Sequence, residues 1–287
     1  MTIFKIRYPS DSYCVMGYLS LPAEYEWNEM RLEHHLLQAL PEKDRPCLKV
    51  SKVAENFPKR FQLKADHMLA DFFPAIVYCR GGIGRVGQVR LEWMHDFSQL
   101  GFVVFAPCYR GSEESDGHDE FGGAETMDVS VAISMLQSLP FVQKNRISLL
   151  GFSRGSINAA QAAYFNPSIH KLILWGGISH LANIYEERID LRRMLKRVVG
   201  GTPKRYPERY ASRSPEIIVT KLNSPILLVH GTNDQQVDFS HAIRMENVLR
   251  EMGKNPVTHF YYGLGHHLPR PIHEAAVNRM CDWLCQK

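Results

Sequence analysis

Ile147-Ser-Leu-Leu-Gly151-Phe-Ser153-Arg-Gly155-Ser-Ile-Asn-Ala-Ala-Gln-Ala-Ala163 is the stretch whose reading decides the fold. An apolar run of strand length enters a Gly-x-Ser-x-Gly turn and leaves it as an alanine-rich helix. A serine on so tight a turn projects its hydroxyl above the sheet edge, and the flanking glycines are required because a Cβ there would meet the neighbouring strand and helix. The bare pattern arises by chance in on the order of one chain in ten at ordinary Gly and Ser content. The strand before it and the helix after it separate this instance from a plain Gly-Ser turn.

Working outward, apolar runs at 75–79, 102–106, 147–150, 172–175 and 226–230 alternate with helical patterns near 89–100, 124–139, 154–165, 238–252 and 271–284. A further strand covers Val257 to Tyr262. Continuous apolar strands between helices predict a parallel sheet covered on both faces. Gly101 and Gly253 stand just past two of the helices as stop signals. Phe4–Tyr8 and Tyr13–Ser20, parted by Pro9-Ser-Asp11, predict an N-terminal antiparallel hairpin. The expectation is an α/β protein with a mostly parallel central sheet of about eight strands, as one domain over residues 1–287. Residues 24–71 read as an irregular or helical insertion, with a helix near Glu29–Leu40, and residues 185–214 as a helical excursion over the carboxyl ends of the strands. Ligands bind along that edge of an open α/β sheet.

Composition narrows the class. The 287 residues are 45% hydrophobic and 22% charged, and Lys+Arg 34 against Asp+Glu 30 leaves a formal charge of +4. That balance is spread without a basic block, which argues against nucleic acid or an anionic membrane as partner. No stretch approaches the roughly 18 apolar residues of a membrane span, and Met1 to Ser10 does not read as a secretory leader, so a cytoplasmic location is expected. The six cysteines lack CxxC spacing and read as reduced thiols.

A serine hydroxyl attacks at neutral pH only when a base takes its proton, so a histidine and an orienting carboxylate must follow. Asp234, in Val229-His-Gly-Thr-Asn-Asp234, leaves the end of an apolar strand, and His266, in Tyr262-Gly-Leu-Gly-His266-His267, also follows a strand. His267 is a rival base, though Gly263 and Gly265 present His266 first; Asp238 is a rival carboxylate that suits the N-cap of the next helix better. The other eleven histidines form no H-E-x-x-H spacing, so no metal and no cofactor is expected. An oxyanion needs fixed donors: the backbone N–H of Arg154, beginning a helix, and that of Gly82 in Arg80-Gly-Gly82-Ile83-Gly84. Arg80, Ile83 and Arg110 are candidate substrate contacts.

Arg80-Gly-Gly82, Tyr109-Arg-Gly-Ser112, Gly151-Phe-Ser-Arg-Gly155, Ser214-Pro215, Pro225 to Val237 and Gly263-Leu-Gly-His266 together resemble the catalytic domain of prolyl-oligopeptidase-type serine hydrolases. The resemblance runs from Pro74 to the carboxyl end. It implies an α/β-hydrolase fold, a Ser153–Asp234–His266 triad, and oxyanion donors at Gly82 and Arg154. Arg80 stands where the family often has His, and Arg154 where it often has an aromatic residue. A guanidinium beside the nucleophile offers either an acidic-substrate contact or, as the commoner outcome, a local ion pair. Strict oligopeptidases of the family resemble a two-domain design with a substrate-filtering β-propeller, and 73 residues ahead of Pro74 cannot hold one. That favours a small carboxylic ester over a short peptide, with homo-oligomerisation as a substitute filter. Glu113-Glu114 are candidates for capturing a free amine. The reading of another class, a non-catalytic binding protein on this fold, is set against an intact triad order.

Overall fold

The computed structural model describes residues 2–22, 27–53, 57–61 and 72–286. Nine strands form one sheet: β1 (Thr2–Ser10), β2 (Tyr13–Leu21), β3 (Lys49–Val53), β4 (Phe73–Cys79), β5 (Val103–Pro107), β6 (Val142–Phe152), β7 (Leu172–Trp175), β8 (Ile226–Gly231) and β9 (Val257–Tyr261), in the order β3-β1-β2-β5-β4-β6-β7-β8-β9. The strands from β5 to β9 pair in parallel, and β3, β1 and β2 add antiparallel to the β5 edge. This is the α/β architecture expected, with its N-terminal hairpin.

The continuous apolar runs are explained by what lies on each face. In β4, Ala75, Val77 and Cys79 point into one core, against α1 (Glu29–Ala39), α3 (Thr126–Ser138), α4 (Gly155–Phe165) and α9 (Ser240–Glu251). Ile76 and Tyr78 point into the other, against α2 (Leu91–Gln99) and α10 (Arg270–Cys285). The same alternation splits Leu172 and Leu174 from Ile173 and Trp175. Each large aliphatic side chain among these contributes about 1.5–3 kcal/mol by leaving water, which is why the runs stay apolar on both faces. Gly101 and Gly253 end α2 and α9 in left-handed backbone, at φ 92° and 72°.

Register then positions the site. Cys79 lies opposite Gly151, Phe152 opposite Trp175, and Gly231 opposite Tyr261. The loops beginning at Arg80, Ser153, Gly176, Thr232 and Tyr262 therefore leave from one edge of the sheet.

The strand count is made exact and two expectations are corrected. The sheet has nine strands, because the insertion supplies β3, a half-exposed edge strand whose Lys49-Val-Ser-Lys-Val sequence shows little apolar character. Within that insertion α1 forms as expected, while residues 24–26, 54–56 and 62–71 of it lie outside the described residues. Cys14 and Cys47 are joined in a disulfide, with 5.7 Å between their Cα atoms; a separation of 33 residues carries no local signal for it. The excursion begins before residue 185 and holds α5 (Leu181–Glu187), α6 (Arg192–Val199) and α7 (Pro207–Ala211). Leu181, Ile184, Leu195 and Tyr210 pack there with Phe121, Ile157 and Val237 in a third apolar cluster beside the sheet edge.

Candidate active site

Ser153 stands on the turn between β6 and α4 in left-handed backbone, at φ 55°, while its N–H donates to the Trp175 carbonyl at 2.9 Å. Such a conformation costs a non-glycine residue about 1–3 kcal/mol and persists only where its surroundings enforce it. Here they do. A Cβ on Gly155 would stand 2.0 Å from the Cys79 carbonyl oxygen, and one on Gly151 would stand 2.6 Å from Ser156 Cα. Both obstacles are backbone, which is why the motif needs glycine at those two positions.

Asp234 follows β8 and is buried. Its Oδ1 accepts the N–H groups of Gln236 and Val237 at 2.8 and 3.0 Å, and its Oδ2 accepts from His266 Nδ1 at 2.6 Å. His230, next to last in the same strand, places Nε2 at 3.3 Å from that oxygen and 2.9 Å from the Val237 carbonyl. Burial pushes the carboxyl pKa upward, but the hydrogen bonds from His230 and His266 outweigh it and hold Asp234 well below the usual carboxylate range. An ionised carboxylate on Nδ1 fixes the tautomer that leaves Nε2 as the basic nitrogen. The His266 ring packs against Phe152 at 4.8 Å, and His266 and Ser153 line one cleft. No hydrogen bond joins Ser153 Oγ to the imidazole among the described residues; contacts of this kind often tighten only in the substrate complex.

The rival residues make other contacts. His267 packs on Phe152 and accepts from Arg90, and burial, helped by that cation, lowers its pKa to about 4. Asp238 accepts from the Ser240 N–H at 2.9 Å, at the start of α9. Glu113 accepts the Val89 N–H and Glu114 pairs with Lys5, so neither carboxylate is offered to a substrate.

Opposite Ser153, Gly82 sits at φ 67°, and a Cβ on Gly81 would stand 2.9 Å from Ser153 Cβ, so the two loops touch. The N–H groups of Gly82 and Arg154 have no hydrogen-bond partner among the described residues, as oxyanion donors require. The Arg154 side chain is buried and both terminal nitrogens are engaged: it bonds Asp119 in a fork at 2.7 Å on both arms, pairs with Glu125, and donates to the Gly82 carbonyl at 2.8 Å. Arg80 is equally buried, donating to the carbonyls of Cys108, Gly81 and Gly82, and both guanidinium groups lie on the Tyr109 ring at 4.6 and 5.0 Å. Arg110 is committed to Asp128 and Asp11. Of Arg80, Ile83 and Arg110, Ile83 alone lines the cavity at Ser153, which Arg154 also borders; Arg80 and Arg154 both donate to the Gly82 carbonyl and clamp that loop.

Two clefts flank Ser153 and share it with Gly82, Val86 and Gln236. One, of about 210 Å³, is mainly apolar, with Ile83, Phe121, Ile178, Ile184, Leu191, Met194 and Val237 on its walls beside Arg154 and Arg188. The other, of about 230 Å³, carries Gln88, Arg90, His266 and His267. Apart from Ile83, Gly82, Ser153, Arg154 and the two histidines, sequence reasoning missed these wall residues, and it missed His230; the one available signal was the apolar spacing Leu191 and Met194 on the excursion. Among the described residues no three metal-ligating side chains gather, and no helix is long and apolar enough to cross a membrane.

A strained serine on a strand–turn–helix, an aspartate-bound imidazole and a glycine loop with unpaired N–H groups on one edge of an α/β sheet define the class of serine hydrolases. The sequence profile of the prolyl oligopeptidase family, peptidase S9, matches residues 89–287, so the chain belongs to that family and is an enzyme. It is 40% identical over 213 residues to the uncharacterized peptidase YtmA of Bacillus subtilis, which covers 74% of this chain and 83% of that one. To dipeptidyl-peptidase 5 of Porphyromonas gingivalis it is 26% identical over 60% of its own length but only 27% of the relative's, so it spans about a quarter of that protein. Among solved structures the fold matches an acylaminoacyl peptidase in complex with Z-Gly-Gly-Phe-chloromethyl ketone (TM-score 0.71, 18% identity, 99% of this chain and 41% of that one). It also matches a puromycin hydrolase (TM-score 0.71, 17% identity, 98% of this chain and 38% of that one).

Proposed function

We propose that the chain is a serine peptidase acting on short peptides or acylated amino acids, with Ser153 as nucleophile, His266 as general base and acid, Asp234 as its orienting group and the Gly82 and Arg154 amides as oxyanion donors. The observation that carries this reading is the family match over residues 89–287, which spans all three proposed triad positions. It replaces the preference for esters. That preference rested on the missing propeller, yet the YtmA relative is itself short, since 213 matched residues make up 83% of it, and is named a peptidase.

In the proposed cycle His266 Nε2 takes the Ser153 proton as Oγ bonds to the scissile carbonyl carbon. The negative oxygen so formed is held by the two N–H groups. The carbon–nitrogen bond breaks as His266 returns the proton to the leaving amine, and water, deprotonated in turn by His266, releases the acid. The apolar cavity supports an apolar side chain on the acyl component. Among the described residues no carboxylate lines it, which supports acylated or internal residues there over a free amino terminus.

A fluorophosphonate probe should label the protein and fail on Ser153→Ala, and acylaminoacyl anilides should be turned over with higher kcat/KM than p-nitrophenyl esters relative to their spontaneous hydrolysis. Labelling that survives Ser153→Ala refutes the assignment.

A further inference from the structure

A leaving amine must lie beside the imidazole that protonates it. On the mechanism proposed above, the cleft that His266 lines therefore receives the leaving group, and the apolar cavity, which His266 does not line, receives the acyl part. Among the described residues the leaving-group cleft is lined by one arginine, Arg90, which is held differently from Arg80, Arg110 and Arg154. Arg80, Arg110 and Arg154 are occupied by carboxylates or carbonyls. Arg90 has no carboxylate partner among the described residues.

Its head is nonetheless held in place. The guanidinium donates to His267 Nε2 at 3.1 Å and lies 4.9 Å from the centre of the Trp93 ring and 5.9 Å from that of Phe152. A neutral imidazole and two ring faces orient a cation without neutralising it. Phe152 precedes the nucleophile, so the charge is anchored to the turn that presents Ser153. A planar guanidinium with free N–H groups matches a carboxylate in a two-bond fork.

We propose that Arg90 binds the free α-carboxylate of the leaving amino acid or short peptide, making the enzyme selective for scissile bonds close to an ionised carboxyl terminus. This rests on the peptidase reading, and it transfers to Arg90 the acidic-group contact that the sequence had offered at Arg154. No new bond chemistry is required: the amine departs carrying the carboxylate that Arg90 held.

The test compares kcat/KM for an N-acyl tripeptide acid and its carboxyl-terminal amide, following release of the leaving product at pH 7. The wild type should prefer the acid about tenfold, equivalent to about 1.4 kcal/mol. Raising the salt concentration should shrink the ratio, because the pair is near solvent. Arg90→Gln should bring the ratio to about one, Arg90→Lys should restore part of it, and Arg90→Glu should favour the amide. If Arg90→Gln slows both substrates equally and keeps the ratio, the residue is merely structural and the proposal fails. A wild type that labels with fluorophosphonate and cleaves acid and amide alike removes the role of Arg90 and leaves the peptidase reading standing. A wild type that neither labels nor cleaves either peptide overturns both.

Discussion

Replacing Arg154 by methionine tests whether this side chain is a clamp, and the structure sets the size of the effect. The substitution keeps the length of the stem and removes the guanidinium from a fully buried position. Asp119 loses both arms of its fork, Glu125 loses its cation, and the Gly82 carbonyl loses its 2.8 Å donor. Breaking a buried pair by deleting one partner costs about 3–5 kcal/mol, because the other charge stays behind without compensation. For a chain of this size that corresponds to a fall in Tm of about 6–10 °C. The deficit should depend on pH with a definite sign. In the wild type burial raises the Glu125 pKa, and the Arg154 charge with the Gly122 N–H more than reverses it, so the carboxyl sits below its ordinary value. Its contribution is present above the ordinary carboxylate range and is lost as pH falls through the lowered value. Without Arg154 the burial effect is less opposed, the pKa rises, and the variant gains relative stability as protonation becomes easier. Chemical denaturation of both proteins from pH 7 to pH 5 should therefore show the gap narrowing with acid. A gap under about 1 kcal/mol at pH 7, or one that widens with acid, refutes the clamp reasoning. Activity provides the second readout: a loosened Gly82 loop should lower kcat about 10²-fold or more with little change in KM, since the oxyanion forms only in the transition state.

Two further outcomes follow from the same geometry. Asp234→Asn should reduce kcat on an anilide about 10³–10⁴-fold, because an amide on Nδ1 no longer favours the basic tautomer of His266. It should also flatten the acid limb of the stability profile, since the lowered Asp234 pKa contributes stability that is lost as pH falls below the usual carboxylate range; an unchanged limb would contradict the bonding described. Gly155→Ala puts a methyl group 2.0 Å from the Cys79 carbonyl, so soluble yield or Tm should fall more than in Gly263→Ala, where the alanine would be strained at φ 71° but nothing stands within 4 Å. Equal losses in the two would show that conformation, not collision, sets the cost.

The elements that carry the site were legible in the sequence wherever the deciding physics is local. Gly151 and Gly155 are demanded by backbone atoms within a few residues or on the adjoining strand, and the continuous apolar runs of β4, β7 and β8 follow from burial on both faces. β3 was not legible, because a half-exposed edge strand needs few apolar residues and its pairing with β1 lies across the chain.

What the linear sequence by itself determined is therefore the α/β framework, the Gly-x-Ser-x-Gly turn and the chain order of Ser153, Asp234 and His266, all consequences of periodicity and backbone sterics. Only the tertiary structure decided which arginine is free. Arg154 finds Asp119 35 residues away, Arg80 finds Cys108 28 residues away, and Arg110 finds Asp11 99 residues away, while Arg90 meets the neutral His267 across 177 residues. Charge pairing depends on burial and on partners delivered by remote segments, and nothing in the local pattern around an arginine encodes either.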